Sequence, residues 1–323
     1  MTTVSIAANV ERARTNACSV LLQGGLIALP TETVYGLAAD ATNGTAVARI
    51  FETKGRPRFN PLICHMASQD MAARYVNFDA AALQLAEAFW PGPLTLVLPL
   101  KADTLIHPLT TAGLDTLAVR VPTGFARSLI AQYDRPLAAP SANTSGRISP
   151  TSAAHVAADL GSRVDLILDG GPAVIGLEST ILKPTSSGTE LLRPGGLAND
   201  DIERVTGSAL IRQDGRAGAI EAPGMMRSHY APDAALQINA TRVERSDALI
   251  TFSGQSLPGQ EQASVVLDLS PSGDLREAAA NLFDFLMRAD AAANTTIRVV
   301  PIPHDGLGEA INDRLERAAA PRH

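Results

Sequence analysis

The stretch LAAPSANTSGRISPTSAAHVAADL, residues 137–160, contains a strand, a polar loop and a helix in succession. The apolar run 136–139 predicts a short buried strand, and the spacing of apolar residues over 152–160 predicts a helix. Residues 141–146 (SANTSG), just after that strand, have small side chains, so their backbone amides are accessible to a ligand. A loop at the carboxyl end of a strand is a usual ligand site of an α/β sheet. This segment therefore predicts an α/β fold with a binding site in that loop.

The same alternation extends over the first two-thirds of the chain. Helices are predicted at 9–23, 45–53, 80–89 and 125–132, and strands at 26–29, 61–66, 94–100 and 116–121. Residues 30–37 (PTETVYGL) are predicted to form a polar turn, rich in hydroxyl groups, that faces a ligand. Strands that alternate with helices indicate an α/β layer.

A change in composition after residue 196 divides the chain. Residues 207–232 are rich in Gly, Ala, Arg and Pro and show little periodicity, which is typical of a linker. A second α/β pattern follows, with strands predicted at 248–252, 265–269 and 297–302 and helices at 274–289 and 308–320. The pattern predicts a first domain at 1–206, a linker at 207–233 and a small doubly wound, Rossmann-like domain at 234–323.

Composition excludes several classes of protein. The chain has 323 residues, 46% of them hydrophobic and 19% charged, which is typical of a folded globular protein. Its formal net charge of -6 disfavours a general nucleic-acid binder. Cys18 and Cys64 form no CxxC pair, so neither a disulfide framework nor a zinc ribbon is expected, and a reducing cytoplasm is the simplest location. No segment has the continuous apolar character of a signal peptide or a membrane helix.

Two cations lie within three residues at the end of the helix predicted at 45–53. Lys54 supplies a mobile point charge and Arg56 a planar fork, and Pro57 favours an extended conformation for Arg56. Such a pair can bind a carboxylate or a phosphate. The alternative, at least as common for an isolated pair, is that both cations complement the negative end of the helix dipole.

The loop that follows residue 140 has its own alternatives. Its serines suit a ligand site near a helix N-terminus, but capping of that helix by Ser149 or Thr151 is about as common a role. Ser141 is a poor hydrolase nucleophile with His65 or His155 as base, because the flanking residues do not form G-x-S-x-G. The phosphate loop G-x-x-x-x-G-K-[ST] and the G-x-G-x-x-G fingerprint are also absent from the sequence.

Weaker signals come later in the chain. The sequence Glu178-Ser179-Thr180 precedes a predicted strand, and Arg193 is placed at the far end of that strand. A Ser-Thr pair at the start of a strand is more often a simple turn. The pair His229-Tyr230, in the predicted linker, either contacts a ligand or anchors the linker.

A series of segments, in order along the chain, resembles the YrdC-like family in its two-domain form. The segments are PTETVYGL (30–37), KGRPRFNPLICH (54–65), WPGPLT (90–95), VRVP (119–122), APSANTSGRISPT (139–151), LESTI (177–181) and LRPGG (192–196). Two later segments, APGMMRSHYAP (222–232) and GLGEAINDRLERAA (306–319), resemble the linker and the C-terminal domain of that form. The resemblance implies a twisted, mostly open mixed α/β sheet with a large positive cavity, a Rossmann-like second domain, and a linker that covers the cavity.

The resemblance also implies roles for individual residues. Lys54, Arg56, Ser141 and Asn143 correspond to the family's KxR and SxN set, expected around the phosphates and the adenylate. The positions that correspond to threonine contacts are Thr33, His65, Arg120, Ala139 and Ser179. Those that correspond to ATP contacts are Arg56, Asn60, Thr116, Ser141, Ser149, Arg193 and Tyr230, the last closing over the nucleotide.

The implied reaction makes threonylcarbamoyl-AMP from L-threonine, bicarbonate or CO2, and ATP. The threonine amine forms a carbamate, whose oxygen attacks the α-phosphate, and pyrophosphate leaves. Arg120 suits the threonine carboxylate, and the hydroxyl of Thr33 or Ser179 suits the threonine side chain, which would reject valine. No acidic cluster resembles a metal cage, so Mg2+ is expected to arrive with ATP. The product is expected to pass to a separate transferase that modifies tRNA beside the anticodon, with little or no direct tRNA binding here.

Two rival hypotheses remain at the level of sequence. A positive concave cavity also suits an RNA-binding or ribosome-associated module, although the acidic composition and the 4% aromatic content disfavour it. The carbamoyltransferase of hydrogenase maturation contains a similar domain, but it needs zinc-binding cysteine clusters that this sequence lacks.

Overall fold

The computed structural model describes residues 2–212, 221–224, 229–293 and 295–321. Its described residues form two compact units. The first comprises described residues of Met1–Ser145, Pro150–Ala173 and Glu178–Met225, and the second those of Gly146–Ser149, Val174–Leu177 and Met226–His323. Much of the predicted linker, at 213–220 and 225–228, lies outside the described residues, and the predicted boundaries at 206 and 233 remain predictions.

Helices and strands alternate through the first unit. Its strands are β1 (Thr2–Ser5), β2 (Ile27–Leu29), β3 (Gly36–Asp40), β4 (Ile63–His65), β5 (Leu94–Pro99), β6 (Thr116–Arg120), β7 (Leu137–Ala138), β8 (Leu166–Asp169), β9 (Thr180–Thr185), β10 (Gly188–Arg193) and β11 (Ile211–Arg212). Its helices are α1 (Val10–Leu22), α2 (Gly44–Lys54), α3 (Gln69–Ala72), α4 (Ala80–Phe89), α5 (Pro108–Thr111), α6 (Gly124–Tyr133), α7 (Ala153–Asp159) and α8 (Asn199–Thr206). The elements predicted between residues 9 and 160 are present, with ends that differ by one or two residues.

The strands of the first unit form one mixed sheet. Across the described residues its order is β1-β8-β2-β3-β7-β4-β6-β5-β9-β10-β11. The sheet contains both parallel pairs, such as β4 with β6, and antiparallel pairs, such as β5 with β6. This arrangement confirms the predicted mixed α/β fold.

The central strands β4, β6 and β5 bury different chemistry on their two faces. One face carries Cys64, Val119 and Leu96, which pack into the main hydrophobic core. Because side chains alternate along a strand, the neighbouring residues point the other way. That second face carries a small apolar cluster, which includes Ile63 and Val97, and next to it a row of polar side chains. A buried polar row on a central sheet marks a candidate site rather than a second core.

The region 180–193 corrects one prediction. It forms two antiparallel strands, β9 and β10, rather than one strand with Arg193 at its far end. The chain reverses at Ser186 and Ser187, and Gly188 there has a φ of 135°, in the range that favours glycine. The hairpin therefore returns Arg193 to a position opposite Ile181, beside the start of β9.

The loop before α7 corrects a second prediction. The N-cap of α7 is Ser152, whose side chain accepts a hydrogen bond from the backbone N–H of His155. Neither Ser149 nor Thr151 is the capping residue, although both are buried. The helix starts one residue later than predicted because Ser152, in an extended conformation, supplies the cap itself.

The second unit contains a smaller parallel sheet. Its strands are β12 (Ala235–Gln237), β13 (Ala248–Thr251), β14 (Val265–Asp268) and β15 (Thr296–Val299), in the order β12-β15-β13-β14. Its helices are α9 (Leu275–Ala292) and α10 (Gly308–Ala319); α9 packs on β13 and β14, and α10 on α9 and β12. All described strand pairs in this sheet are parallel, as expected for a small α/β domain. None of the described helices in either unit is long and apolar enough to cross a membrane.

The core face of β5 generates a prediction about stability. Leu96 is fully buried there, so we expect Leu96→Ala to lower the free energy of unfolding of the first unit by about 2–5 kcal/mol through the cavity it leaves. Leu105→Ala is the matched control, because Leu105 is 72% exposed. Urea titration followed by circular dichroism measures both, and an equal loss in the two variants would contradict the assignment of the core face.

Candidate active site

The polar row on the second face of the sheet is set by strand register. His65 of β4 pairs with Arg120 of β6, and Arg120 pairs with Thr95 of β5. Paired residues on neighbouring strands place their side chains on the same face, about 5 Å apart at the backbone. Three residues from three segments of sequence are therefore adjacent, and two of them, His65 and Arg120, were predicted as threonine contacts.

Arg120 is anchored by three different groups. Its Nε donates to the carbonyl of Gly92 (3.1 Å), Nη1 to Thr33 Oγ1 (2.8 Å) and Nη2 to Glu32 Oε1 (2.6 Å). The side chains of Arg120 and Glu32 are only 4% and 8% exposed. A guanidinium has five N–H donors, so two donors, one on each terminal nitrogen, have no partner among the described residues. The guanidinium is thus fixed in direction and retains donors for a planar anion.

Glu32 is a site residue that the sequence analysis missed. Its second oxygen, Oε2, accepts the backbone N–H of Thr123 (3.2 Å), just before α6. Burial opposes ionisation of this carboxyl, but the charge and hydrogen bond of Arg120 and the backbone N–H groups hold its pKa below the usual value. The sequence signal that could have indicated Glu32 is that it is the single acidic residue in the hydroxyl-rich segment 30–37.

His65 is neutral in this environment. Burial, together with the positive charge of Arg120, lowers the pKa of His65 to about 3. Its Nδ1 atom is buried and has no hydrogen-bond partner among the described residues. A buried, unpartnered ring nitrogen at the end of the polar row fits the prediction that His65 contacts a ligand.

Ser179 joins the row through Thr95 and Arg193. The hydroxyls of Ser179 and Thr95 are 2.7 Å apart, and Arg193 donates from Nη2 to the Ser179 carbonyl (2.8 Å) and to its hydroxyl (3.3 Å). The β9–β10 hairpin makes this contact possible. The structure therefore brings together Ser179, predicted to bind the substrate threonine, and Arg193, predicted to bind ATP.

The double glycine after Arg193 has a steric cause. A Cβ atom on Gly195 would lie 2.4 Å from the Glu178 carbonyl and 2.5 Å from the backbone of Ser179 and Thr180. No side chain fits at that separation, so only glycine allows this close approach. The LRPGG segment thus holds the backbone of Ser179 in place.

Lys54 connects α2 to the polar loop. Its ammonium is buried and donates to the carbonyls of Ser141 (2.6 Å) and Asn143 (2.5 Å), and its own carbonyl accepts the N–H of Ser145 (2.8 Å). Burial and the charge of Arg56 lower the pKa of Lys54 well below its usual range. The ammonium therefore holds the loop carbonyls rather than the last carbonyls of α2, which disfavours the helix-dipole alternative.

Arg56 organises the segment that leads into β4. Its Nε and Nη2 donate to the carbonyl and side-chain oxygen of Asn60 (3.1 and 2.7 Å), and Nη2 also donates to the Pro61 carbonyl (2.9 Å). Asn60 and Arg56 are both buried. Two residues predicted to bind ATP are thus hydrogen-bonded to each other, just before the start of β4, whereas His65 is at its other end.

The remaining predicted residues of the first unit lie at this same end. Ser141 bridges to Gly36 of β3, and Ala139 donates its N–H to the Ile63 carbonyl (3.0 Å). Thr116 begins β6 and lies on the same face as Arg120, about 13 Å along the strand at ~3.3 Å per residue. Among the described residues, no imidazole is hydrogen-bonded to the Ser141 hydroxyl, which disfavours the hydrolase alternative.

Two predicted ATP residues belong to the second unit. Ser149 is buried there, in the segment Gly146–Ser149. Tyr230 has its ring stacked on Phe283, with centroids 5.5 Å apart, and the guanidinium of Arg314 lies 5.1 Å from the ring centre. These contacts fix the ring within the second unit, and contact of Ser149 and Tyr230 with ATP remains a prediction.

Comparison with known proteins identifies the family. The Sua5–YciO–YrdC family model, described as "Telomere recombination", matches residues 19–195, and the model described as "Threonylcarbamoyl-AMP synthase, C-terminal domain" matches residues 197–320. A Pyrococcus abyssi protein named threonylcarbamoyl-AMP synthase is 41% identical over 322 residues, which cover 95% of this chain and 94% of its own length. The chain belongs to the threonylcarbamoyl-AMP synthase family. The YrdC-like resemblance of the sequence is thereby confirmed.

Further members of the threonylcarbamoyl-AMP synthase family agree. The Bacillus subtilis protein of that name is 42% identical over 322 residues, covering 95% of this chain and 92% of its own. A crystal structure of P. abyssi Sua5 complexed with L-threonine matches with a TM-score of 0.87 and 38% identity, covering 98% of this chain and 96% of that one. The two-unit fold is therefore that of a solved member of the family.

The environment of His65 predicts a pH dependence of stability. Because folding lowers its pKa from 6.5 to about 3, the unfolded chain binds this proton first as the pH falls. We expect the free energy of unfolding to fall by about 1.4 kcal/mol per pH unit below pH 6.5 from this residue alone. His65→Gln should remove that slope between pH 6.5 and 5, whereas His304→Gln, at an exposed position, should keep it. Urea titrations at several pH values measure the slope, and an unchanged slope in His65→Gln contradicts the prediction.

The contacts of Lys54 predict that the conformation of the loop 141–145 depends on the Lys54 ammonium. Lys54→Met keeps the aliphatic chain but leaves the carbonyls of Ser141 and Asn143 without their donor. We expect faster amide hydrogen exchange in 141–145 and a loss of about 2–4 kcal/mol in stability. Lys101→Met is the control, because that ammonium donates to the carbonyl of Ala73. Equal exchange in 141–145 for Lys54→Met and the unaltered protein would show that the loop does not depend on this ammonium.

Proposed function

We propose that the chain is a threonylcarbamoyl-AMP synthase, which converts L-threonine, bicarbonate or CO2, and ATP to L-threonylcarbamoyladenylate and pyrophosphate. The observation that carries the proposal is the similarity to the threonine-bound Sua5 structure, which extends over 98% of this chain. The polar row beside Arg120 supplies chemistry that suits this substrate. The reaction is a nucleotidyl transfer.

Threonine binding is assigned to the row His65, Arg120 and Ser179, together with Thr33 and the backbone near Ala139. The two remaining donors of Arg120 suit a carboxylate, which would bind in a bidentate manner. Glu32 already balances the charge of Arg120, so the pocket suits an amino acid with no net charge better than an isolated anion. The neutral ring of His65 adds a polar contact without adding charge.

ATP binding is assigned to the end of the sheet near the loop 141–146. Lys54 is bonded to the loop of Ser141 and Asn143, and Arg56 is bonded to Asn60. Arg193, the third cation assigned to ATP, is bonded to Ser179. The chemical task is to align the threonine carbamate with the α-phosphate and to stabilise the charge that grows on the phosphate oxygens. Lys54 acts there mainly by fixing the loop, as its contacts indicate.

The bond changes are those of carbamate formation followed by adenylation. The uncharged amine of threonine attacks the carbon of CO2, or of bicarbonate with loss of hydroxide, and loses a proton to give the carbamate. A carbamate oxygen then attacks the α-phosphorus, the bond to the β-phosphate oxygen breaks, and pyrophosphate leaves with the electron pair. The proposed role of the protein is to position these groups, because no general base is assigned.

Mg2+ is proposed to enter bound to ATP. Among the described residues, no three His, Cys, Asp or Glu side chains cluster as a metal site, and the nearby Glu32 is already bonded to Arg120. Mg2+ commonly binds through nucleotide phosphates and water with few protein ligands. The residues present therefore fit a metal carried by the phosphates better than a dedicated protein cage. When bound, it would balance phosphate charge.

The product is proposed to serve threonylcarbamoyladenosine modification of tRNA next to the anticodon, through a separate transferase in the cytoplasm. The net charge of -6 supports weak or absent direct tRNA binding by this chain. The alternative of an RNA- or ribosome-binding module is not favoured, because the family membership supports an enzyme.

Pyrophosphate release is the measurement that tests the proposal. Release from ATP should require both L-threonine and bicarbonate, and omission of either should reduce it to background. Arg120→Lys should raise the KM for threonine by about tenfold or more, because lysine cannot supply the bidentate fork. Arg127→Lys is the matched control, since Arg127 is exposed and donates to the carbonyl of Ala67. Threonine-independent release would contradict the proposed function.

A further inference from the structure

The two hydroxyl residues assigned to threonine have opposite hydrogen-bonding roles. Thr33 Oγ1 lies 2.8 Å from Thr31 Oγ1, and the Thr31 hydroxyl donates its single hydrogen to the Val34 carbonyl (2.6 Å). Thr33 must therefore be the donor in its contact with Thr31. Its oxygen also accepts from Arg120 Nη1 (2.8 Å). With its hydrogen and one lone pair in use, Thr33 offers a ligand only an acceptor.

The contact with Thr95 leaves Ser179 with the opposite role, that of a hydrogen-bond donor to a ligand. The Thr95 side chain is fully buried, and the Ser179 hydroxyl, 2.7 Å away, is its only hydrogen-bond partner among the described residues. If Thr95 accepted from Ser179, the Thr95 hydrogen would stay buried without an acceptor, which is unfavourable. Thr95 therefore donates. Arg193 Nη2 donates to the same oxygen (3.3 Å), so the lone pairs of Ser179 are in use and its own hydrogen is left for a ligand.

The two roles are complementary to one functional group. A hydroxyl accepts from Ser179 and donates to Thr33 at the same time, whereas a methyl group in the same place does neither. Thr33 is bonded to Arg120 and Ser179 to Thr95, and Arg120 and Thr95 face each other on β6 and β5, so both hydroxyls border the same polar row. Leaving both groups unpaired makes a site reject the analogue that lacks the hydroxyl.

We infer that Thr95 is a specificity-determining positioning residue, which fixes the Ser179 hydroxyl as a donor and so selects a β-hydroxy amino acid over its methyl isostere. Thr95 acts through Ser179 and touches no substrate. The inference rests on the proposed function for the identity of the amino acid. It adds a residue of the WPGPLT segment to which the sequence assigned no role.

The decisive variant is Thr95→Val, which keeps the β-branched shape and removes only the hydroxyl. The measurement is kcat/KM for pyrophosphate release with L-threonine and with L-valine, at saturating ATP. Thr95→Val should reduce the threonine-to-valine ratio by about tenfold, the size of one net hydrogen bond, while the KM for ATP stays the same. Thr95→Ser, which retains the hydroxyl, should keep the ratio. Thr95→Ala supplies the same test if the valine variant does not fold.

Two further variants separate positioning from a general effect on the core. Thr110→Val is the control, because Thr110 is also fully buried and its hydroxyl has no partner among the described residues, so the ratio should not change. Ser179→Ala should lower the ratio by itself, and Thr95→Val added to Ser179→Ala should change it less than twofold. Such non-additivity is expected when one residue acts through another.

The outcomes distinguish this inference from the proposed function. If pyrophosphate release by the unaltered protein depends on the amino acid and favours threonine over valine, and Thr95→Val or Thr95→Ala keeps the full threonine-to-valine ratio, the inference is wrong and the proposed function stands. Additive losses in the double variant also overturn it. If the unaltered protein shows no dependence on threonine, the proposed function fails, and the inference with it.

Discussion

The buried ion pair of Glu32 and Arg120 is the constraint on which the candidate site depends. A guanidinium on a central strand, 4% exposed, is stable only if its charge is balanced and its donors are bonded. Glu32 supplies the charge, and Thr33 and Gly92 supply two further acceptors. The loop 30–35 must therefore lie over this face of the sheet, and the backbone before α6 is tied to it through Thr123. One charge thus organises two loops and a strand.

The rest of the site follows from the alternation of side chains along the central strands. Leu96 and Val119 fill the main core on one face, which leaves Thr95 and Arg120 on the other. The site consequently lies on the most regular part of the fold, where rotamers are limited by close packing. Around it, short loops are held by buried cations, as Lys54 holds the carbonyls after β7. Rigid strands and braced loops suit a reaction that depends on the alignment of three reactants.

Sequence patterns predicted most of the helices and strands up to residue 160, because their apolar periodicity is strong. The family resemblance indicated site residues that are adjacent in the structure, such as His65 and Arg120 on neighbouring strands. Glu32 could not be predicted, because its role depends on an arginine 88 residues away in sequence. Thr95 could not be predicted for the same reason, because its proposed role depends on one contact with Ser179, which is distant in sequence. At 180–193 the prediction of a single strand was wrong, although Ser186, Ser187 and Gly188 are residues typical of a turn.

The β9–β10 hairpin also determines where the chain tolerates changes in length. Residues added at the exposed turn of Ser186 and Ser187 leave the pairing of Arg193 with Ile181 intact. One residue inserted between that turn and Arg193 has the opposite result, because the side-chain period of a strand is two. Arg193 would then point to the other face of the sheet and leave Ser179. Within β9 and β10, a one-residue insertion is thus compatible with the contact between Arg193 and Ser179 only at the tip of the hairpin.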